Sequence, residues 1–202
     1  MTTRQLLSAA SLAVLSSAPA FADEYDLDPA HSTAQFSVRH MMVSTVRGQF
    51  DRVTGTAHLD EKDLTHSKVE VSIDAKSINT REPKRDDHLR SPDFFDAAKF
   101  PALTFSSTKV EKAEGGKFKV TGDLTIRGIK KSVTLLADIT APVKNPWGGQ
   151  VRGVTATGKL NRKDWGLTWN KALEAGGVLV GDEVQLVIDA ELNPKKPAAS
   201  VN

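Results

Sequence analysis

The chain has 202 residues, a length typical of one domain and at most two. Charged residues make up 26% of the sequence and hydrophobic residues 39%, a composition that excludes wholesale disorder and collagen-like fibres. The 27 Lys and Arg residues nearly balance the 25 Asp and Glu residues, so the net charge of +2 disfavours nucleic-acid binding. The chain contains no Cys, which excludes disulfides, thiolate nucleophiles and cysteine-ligated metals.

The first 22 residues are typical of a cleaved signal peptide. Arg4 supplies a basic start, residues 6–17 are apolar or small, and Ala20-Phe21-Ala22 matches an A-x-A cleavage site. The apolar run is too short to span a bilayer comfortably. We therefore predict an exported protein, located in the periplasm of a Gram-negative bacterium, with the outside of the cell as the alternative. The predicted divisions are 1–22 for the signal peptide, 23–193 for one β-barrel domain and 194–202 for a flexible tail.

Apolar and polar residues alternate with a period of two along most of the remaining chain. This pattern predicts about eight antiparallel strands that each have one solvated face. The predicted strands cover residues 34–38, 53–59, 69–75, 103–105, 118–126, 133–139, 154–160 and 184–192. Tight turns at 114–116 and 127–130 favour an up-and-down meander that closes into a barrel. A two-sheet sandwich is the alternative, because two long connections leave room for crossovers.

Many of the inward positions in these strands carry small residues. They are Ala34, Gly55, Ala57, Ala75, Gly122, Ala137, Ala156, Gly158 and Ala190. Small residues under-fill a barrel interior and thereby create a cavity, or they relieve crowding at tight corners of a solid barrel. The period of the sequence does not distinguish these two interpretations.

The first insertion, residues 79–101, is densely charged in its first half. Ser91 and the proline that follows it have the N-cap and first-turn residues of a short helix. Phe94, Phe95 and Phe100 are too apolar for a solvated loop, so we predict that they cap or plug one end of the barrel.

The second insertion, residues 161–181, carries Trp165 and Trp169 and a helix-compatible stretch over 168–174. Two insertions that bear aromatic residues on one barrel predict a lid over its mouth.

Several motifs in this order resemble the YceI-like family. They are Asp28-Pro29-Ala30-His31-Ser32, Phe36-Ser37-Val38-Arg39-His40, Gly48-Gln49-Phe50, the run from Arg85 to Asp96 with Phe100-Pro101, Gly122-Asp123-Leu124-Thr125-Ile126-Arg127-Gly128, Asn161-Arg162-Lys163-Asp164-Trp165-Gly166-Leu167 and Val180-Gly181-Asp182-Glu183-Val184. The resemblance implies an all-β fold, an eight-stranded antiparallel lipocalin-like barrel with short helical insertions. Because characterised members of that family bind polyisoprenoid or other long amphiphilic chains, it also implies an internal cavity.

The sequence signals no catalytic or metal site. None of its five histidines has H-x-x-x-H or H-E-x-x-H spacing, and the G-x-S-x-G, P-loop and G-x-G-x-x-G motifs are absent. His31 and Ser32 are neighbours in sequence and would point to opposite faces of a strand, so they make a poor base–nucleophile pair. We predict no catalytic residues, no metal ligands and no cofactor other than a bound lipid.

The predicted function is non-catalytic binding and transport of a long-chain isoprenoid or similar amphiphilic lipid in the periplasm. Two alternatives remain: an accessory protein that presents a quinone or haem to a membrane electron-transfer partner, and an enzyme that acts on an isoprenoid lipid. The sequence also leaves open a homodimer and a transient contact with a membrane or membrane protein.

The predicted site residues fall into two groups. The cavity group is Phe36, Val38, Val71, Ile73, Phe94, Phe95, Phe105, Leu124, Ile126, Leu135 and Trp165. The head-group candidates are Arg81, Arg85, His88, Arg90 and Arg162, because Arg suits phosphate and other polar groups. For the head-group candidates, a solvated loop held by local ion pairs is the alternative.

Overall fold

The computed structural model describes residues 23–147, 149–174 and 176–195. The strands in these residues are β1 (Asp23–Leu27), β2 (Thr33–His40), β3 (Ser44–Phe50), β4 (Val53–Leu59), β5 (Lys68–Asp74), β6 (Ile78–Asn79), β7 (Ala102–Lys112), β8 (Phe118–Ile126), β9 (Ile129–Ile139), β10 (Val143–Lys144), β11 (Gln150–Asn161) and β12 (Val180–Pro194). The α-helix α1 spans Pro83–Arg90, and short 3-10 helices span Leu64–His66, Ala75–Ser77, Glu114–Gly116 and Arg162–Trp165. The predicted signal peptide lies outside the described residues, as does the predicted tail from residue 196 onward.

Eight long strands form a closed antiparallel barrel. Three of them are interrupted strands, made by β1 with β2, β3 with β4, and β5 with β6, and the other five are β7, β8, β9, β11 and β12. Each long strand pairs with its neighbour in sequence, and β12 pairs with β11 on one side and with β2 and β1 on the other. This topology confirms the predicted eight-stranded barrel and excludes the two-sheet sandwich.

The barrel has one end that is closed by packed side chains, here called the capped end. It carries α1, residues 91–101 and the second insertion. Ile78 is fully buried there, Trp165 is 2% exposed, and Phe94 and Leu167 belong to the same buried cluster. The Trp165 indole Nε1 donates to the Leu124 carbonyl oxygen at 3.0 Å, so its one polar atom is paired within the apolar cluster.

Helix α1 lies upstream of the predicted helix. Glu82 is its N-cap and accepts a hydrogen bond from the Arg85 backbone N–H at 2.7 Å, and Pro83 occupies the first turn. Ser91, predicted as an N-cap, is instead the C-cap of α1, and its hydroxyl donates to the His88 carbonyl at 2.7 Å. The cap-and-proline pattern occurs twice, nine residues apart, and the first copy, Glu82-Pro83, is the one that begins the helix.

The stretch 168–174 is not helical as predicted. It runs as an irregular segment in which Ala172 forms an isolated bridge with Val178. The guanidinium of the buried Arg162 donates to the Trp169 carbonyl at 2.9 Å, so that carbonyl is bound to a side chain and not to a helical N–H. In the described part of the chain, no helix has the length and hydrophobicity needed to cross a membrane.

Candidate ligand-binding cavity

The inward faces of the barrel strands enclose an apolar cavity with a volume of about 220 Å³. Its wall is aliphatic and aromatic except for Gln35, Ser67 and Lys68. Ser67 and Lys68 lie at the opposite end, the barrel end away from the cap, which carries the 60–67 loop, the 113–117 turn and the 140–149 loop. A wall of this composition favours hydrocarbon and provides few groups for orienting a polar reactant.

Inward-facing side chains around the middle of the barrel are only half-buried. Val71, Phe105, Leu135 and Ile188 all point into the interior, yet each retains accessible surface. In a solid core such side chains would be covered by contacts from every side. Their partial exposure is therefore the signature of unfilled space inside the barrel.

Glycines let the larger side chains lie flat against the wall. A Cβ atom at Gly122 or at Gly48 would lie 2.5 Å from the ring carbon Cζ of Phe105 or Phe36, respectively. A Cβ at Gly158 would lie 2.5 Å from Leu135 Cδ2. The glycines thus relieve crowding along the wall, which is one of the two interpretations of the small inward residues. Because the neighbouring side chains lie in the space that the glycines leave, the centre of the barrel stays hollow, which is the other.

Seven of the predicted cavity residues lie in the cavity wall. These are Phe36, Val71, Ile73, Phe105, Leu124, Ile126 and Leu135. Their placement follows from strand alternation, because every second residue of a barrel strand faces the interior.

The structure places the other four predicted cavity residues outside the wall. Val38 pairs with Val46 and Val184 at the far end of β2, beyond the cavity. Phe95 contacts Phe50 edge-on, with ring centroids 5.5 Å apart.

Phe94 and Trp165, the remaining two of those four, belong to the capped end. The ring of Phe94 lies 5.3 Å from that of Trp169, and Trp165 is held by its hydrogen bond to Leu124. Here these aromatic residues pack as a fixed plug, because both are buried in the same cluster as the strands beneath them.

Sequence reasoning missed several wall residues at the opposite end. Val110 follows a register shift between Ser107 and Lys109, which moves the inward face of β7 from odd to even positions. Leu64 comes from a short 3-10 helix and has no strand period to reveal it. The sequence signal for Val110 is an isolated Val within a charged run. No comparable signal indicates Leu64.

Most predicted head-group candidates have their donors occupied at the capped end. Arg85 donates to the Thr80 hydroxyl at 2.7 Å and to the Thr80 carbonyl at 2.8 Å. Arg90 donates to the carbonyls of Lys76 and Ile78 at 2.9 and 2.7 Å.

The other three head-group candidates also lie away from the cavity wall. Arg81 is exposed, and His88 Nε2 lies 2.9 Å from Asp93 Oδ2. Arg162 is 3% exposed, and burial lowers the pKa of its guanidinium. Its donors bind backbone carbonyls and one carboxylate, those of Gly181, Leu167, Trp169, Val180 and Asp182. The local-contact interpretation therefore describes this set better than a free head-group site does.

The motif Asp28-Pro29-Ala30-His31-Ser32 forms the bend between β1 and β2. Asp28 Oδ1 accepts from the Ala30 N–H at 2.8 Å, and Asp28 Oδ2 lies 2.9 Å from His31 Nδ1. The hydrogen bond between them raises the pKa of His31 and lowers that of Asp28. Glu191 of β12 brings a third ligand-type atom within 4.8 Å of these two residues.

A second group that the sequence analysis missed lies at the opposite end, and we call Arg152, Tyr25 and Glu61 the polar end cluster. Arg152 is 6% exposed; its Nη2 pairs with Glu61 Oε2 and its Nη1 donates to the Thr140 carbonyl at 2.9 Å. The Tyr25 hydroxyl donates to Glu61 Oε1 at 3.0 Å, and burial raises the pKa of Tyr25.

One polar atom of this cluster is left over. Arg152 Nε is buried and has no hydrogen-bond partner within the described residues. An unpaired buried donor costs about 1–3 kcal/mol. An arginine in phase with the apolar residues of β11, Val154 and Ala156, was the sequence signal for this cluster.

A closed antiparallel barrel around an apolar cavity defines a lipocalin-like binding fold. The YceI-like domain model matches residues 25–192, and the chain belongs to the YceI-like family. A UPF0312 protein of Staphylococcus aureus strain MSSA476 is 39% identical over 170 residues, which cover 84% of this chain and 96% of that protein.

Solved structures show the same fold. The YCEI protein of Campylobacter jejuni aligns with a TM-score of 0.67 and 34% identity, covering 78% of this chain and 90% of that one. A polyisoprenoid binding domain from Saccharophagus degradans, implicated in plant cell wall breakdown, aligns with a TM-score of 0.62 and 15% identity over 85% of this chain and 98% of that one. The second likeness is one of fold.

Proposed function

We propose that this protein binds a single long isoprenoid or similar amphiphilic chain in its barrel cavity and carries it through the periplasm. The observation that carries the proposal is the apolar cavity, whose wall, as formed by the described residues, has three polar members. Membership of the YceI-like family and the name of the S. degradans domain support an isoprenoid as the class of ligand.

The physical case rests on the cost of hydrocarbon in water. Each methylene group removed from water contributes about 0.8 kcal/mol, so a free polyprenoid is held strongly in a membrane. A barrel interior lined by Val71, Leu135 and Ile188 offers a comparable environment to such a chain. A carrier of this kind lets the chain leave one membrane and reach another without exposing its length to water.

The proposed location follows from the N-terminal sequence. The basic start, apolar run and A-x-A site of residues 1–22 support export and cleavage. The absence of Cys from the whole chain is compatible with an oxidising compartment, because no thiol is left to pair wrongly.

We propose binding without chemical change to the ligand. Among the described residues, the polar members of the cavity wall are Gln35, Ser67 and Lys68, and none of them is a histidine or a carboxylate of the kind that commonly acts as a general base. The lipid is the expected ligand, and no resident cofactor forms part of the proposal.

We also propose that the opposite end makes transient contact with membranes. Trp147, 88% exposed, and Val143, also exposed, project from the 140–149 loop beside Lys144. Exposed tryptophan with a neighbouring cation suits the boundary between lipid head groups and acyl chains.

Mass spectrometry of an organic extract tests the proposal. The protein is purified after native export, beside a sample that has been denatured and refolded without lipid. We expect a stoichiometric isoprenoid or quinone in the native sample alone. An empty native extract, together with a refolded barrel that takes up no lipid chain, would contradict a carrier role.

A further inference from the structure

The polar end cluster borders the cavity directly. Arg152 is paired in register with Leu192, and Tyr25 with Ala57, and both of these partners line the cavity. Paired residues of neighbouring strands face the same side, with Cβ atoms about 5 Å apart. Arg152 and Tyr25 therefore form the next layer of the barrel interior beyond the hydrocarbon wall.

The charges of the cluster are already balanced. The carboxylate of Glu61 faces the guanidinium of Arg152, and the hydroxyl of Tyr25 donates to the same carboxylate. An anionic group brought into this layer would meet the negative charge of Glu61 as well as the positive charge of Arg152. The cluster as it stands has no net charge to offer a phosphate or carboxylate.

The cluster has one buried nitrogen with no hydrogen-bond partner at all. Arg152 Nε–H is buried and lacks an acceptor among the described residues, while Nη1 and Nη2 of the guanidinium each donate to one partner. A buried donor beside an apolar cavity is suited to hydrogen-bond one acceptor oxygen at the end of a hydrocarbon chain that lies in the cavity.

We propose that the polar end cluster is the head-group subsite of the cavity and that it takes a neutral acceptor oxygen, a hydroxyl or carbonyl, at the polar end of the bound chain. The inference rests on the proposed function and narrows its ligand class to prenyl alcohols and prenyl chains ending in a ketone or quinone carbonyl. Prenyl acids and prenyl phosphates are disfavoured by Glu61, whose carboxylate already neutralises Arg152.

The test compares two ligands that share a chain and differ in the head group, geranylgeraniol and geranylgeranoic acid. Both are titrated at neutral pH into lipid-free refolded protein, and the ratio of the two dissociation constants is the readout. We expect wild-type protein to bind the alcohol about tenfold more tightly than the acid, the scale of one hydrogen bond to a charged group.

Two variants of the cluster test its role, and a third serves as the control. Glu61→Gln removes the competing carboxylate from a half-exposed loop residue, so we expect the acid to gain about tenfold and the preference to disappear or reverse. Arg152→Met removes the donor, and the alcohol should lose its advantage. Glu114→Gln removes an exposed carboxylate from the turn at the same end and should leave the ratio unchanged.

The outcomes separate this inference from the proposed function. Wild-type protein that binds both chains with a ratio unaffected by Glu61→Gln and Arg152→Met would overturn the head-group subsite and leave chain binding intact. A wild-type preference for the acid would also overturn it. Wild-type protein that binds neither chain would overturn the proposed function and this inference together.

Discussion

Replacing Ala156 with Phe should greatly weaken lipid binding while it stabilises the barrel. Ala156 lies in the cavity wall on β11, and its partner in register on β9 is Ala137, which also lines the cavity. Two small side chains face each other there, so a phenyl ring at position 156 extends into the open interior.

The expected magnitude follows from the carbon atoms exchanged. The substitution adds six ring carbons, which take the room of about as many ligand methylenes at about 0.8 kcal/mol each. The lost ligand burial is about 5 kcal/mol, or about a thousandfold or more in dissociation constant. Burying the ring stabilises the ligand-free protein by about 2 kcal/mol, which raises its melting temperature by about 4–8 °C.

The assay is displacement of a fluorescent lipid chain, combined with calorimetric melting of lipid-free protein. Thr157→Phe is the matched control, because Thr157 is the next residue of β11 and is exposed on the outer face. It should change the dissociation constant by less than about twofold. Unaltered affinity in Ala156→Phe, alongside a higher melting temperature, would show that the chain does not occupy this cavity.

Three further predictions concern other parts of the molecule. Arg162→Met should cost about 3 kcal/mol in urea unfolding, since it leaves several carbonyls of the capped end without a donor, and a loss below about 1 kcal/mol would refute that role. By NMR titration, the pKa of His31 should exceed its ordinary value of 6.5 and fall back in Asp28→Asn; the stabilisation from this pair is complete below pH 6.5, down to the lowered pKa of Asp28, and fades as pH rises through the raised pKa of His31. Trp147→Ser should slow transfer of a bound chain to vesicles without changing its affinity, and equal transfer rates would argue against membrane contact at this loop.

Strand alternation was enough to predict the barrel and those cavity-wall residues that lie in regular strands. Phe105, Leu124 and Leu135 were all placed inside because period-two patterning fixes the face of each residue once one face is apolar. The half-strands β1 and β3 were not predicted, because they are short and carry polar residues at many positions. Their place in the sheet is determined by pairing with β4 and β2, which is a tertiary constraint.

The candidate site was less predictable at its two ends. The arginines of the first insertion resemble a head-group site in the sequence. The sequence shows how densely the charges are placed, but it does not show which atoms the guanidinium groups bind. Arg85 and Arg90 donate to backbone carbonyls that the chain brings near only after it folds. Arg152 was not predicted as a site residue, because a single charge next to an apolar series is typical of a strand end. Its pairing with Glu61 joins residues 91 positions apart, which no local pattern indicates.

For the proposed ligand, the two ends of the barrel define a direction of entry. At the capped end, Trp165 and Arg162 bind backbone oxygens within a packed cluster, so opening this end would break several buried hydrogen bonds at once. The opposite end consists of loops around the polar end cluster, which is tied to the 60–67 loop through Glu61, a side chain that is 37% exposed. A chain that enters there leads with its hydrocarbon tail and leaves its head group beside Arg152. Because Trp147 projects from the same end, entry, head-group recognition and membrane contact would all occur on one face of the proposed carrier. The protein would then take up and release its ligand without rotating relative to the membrane.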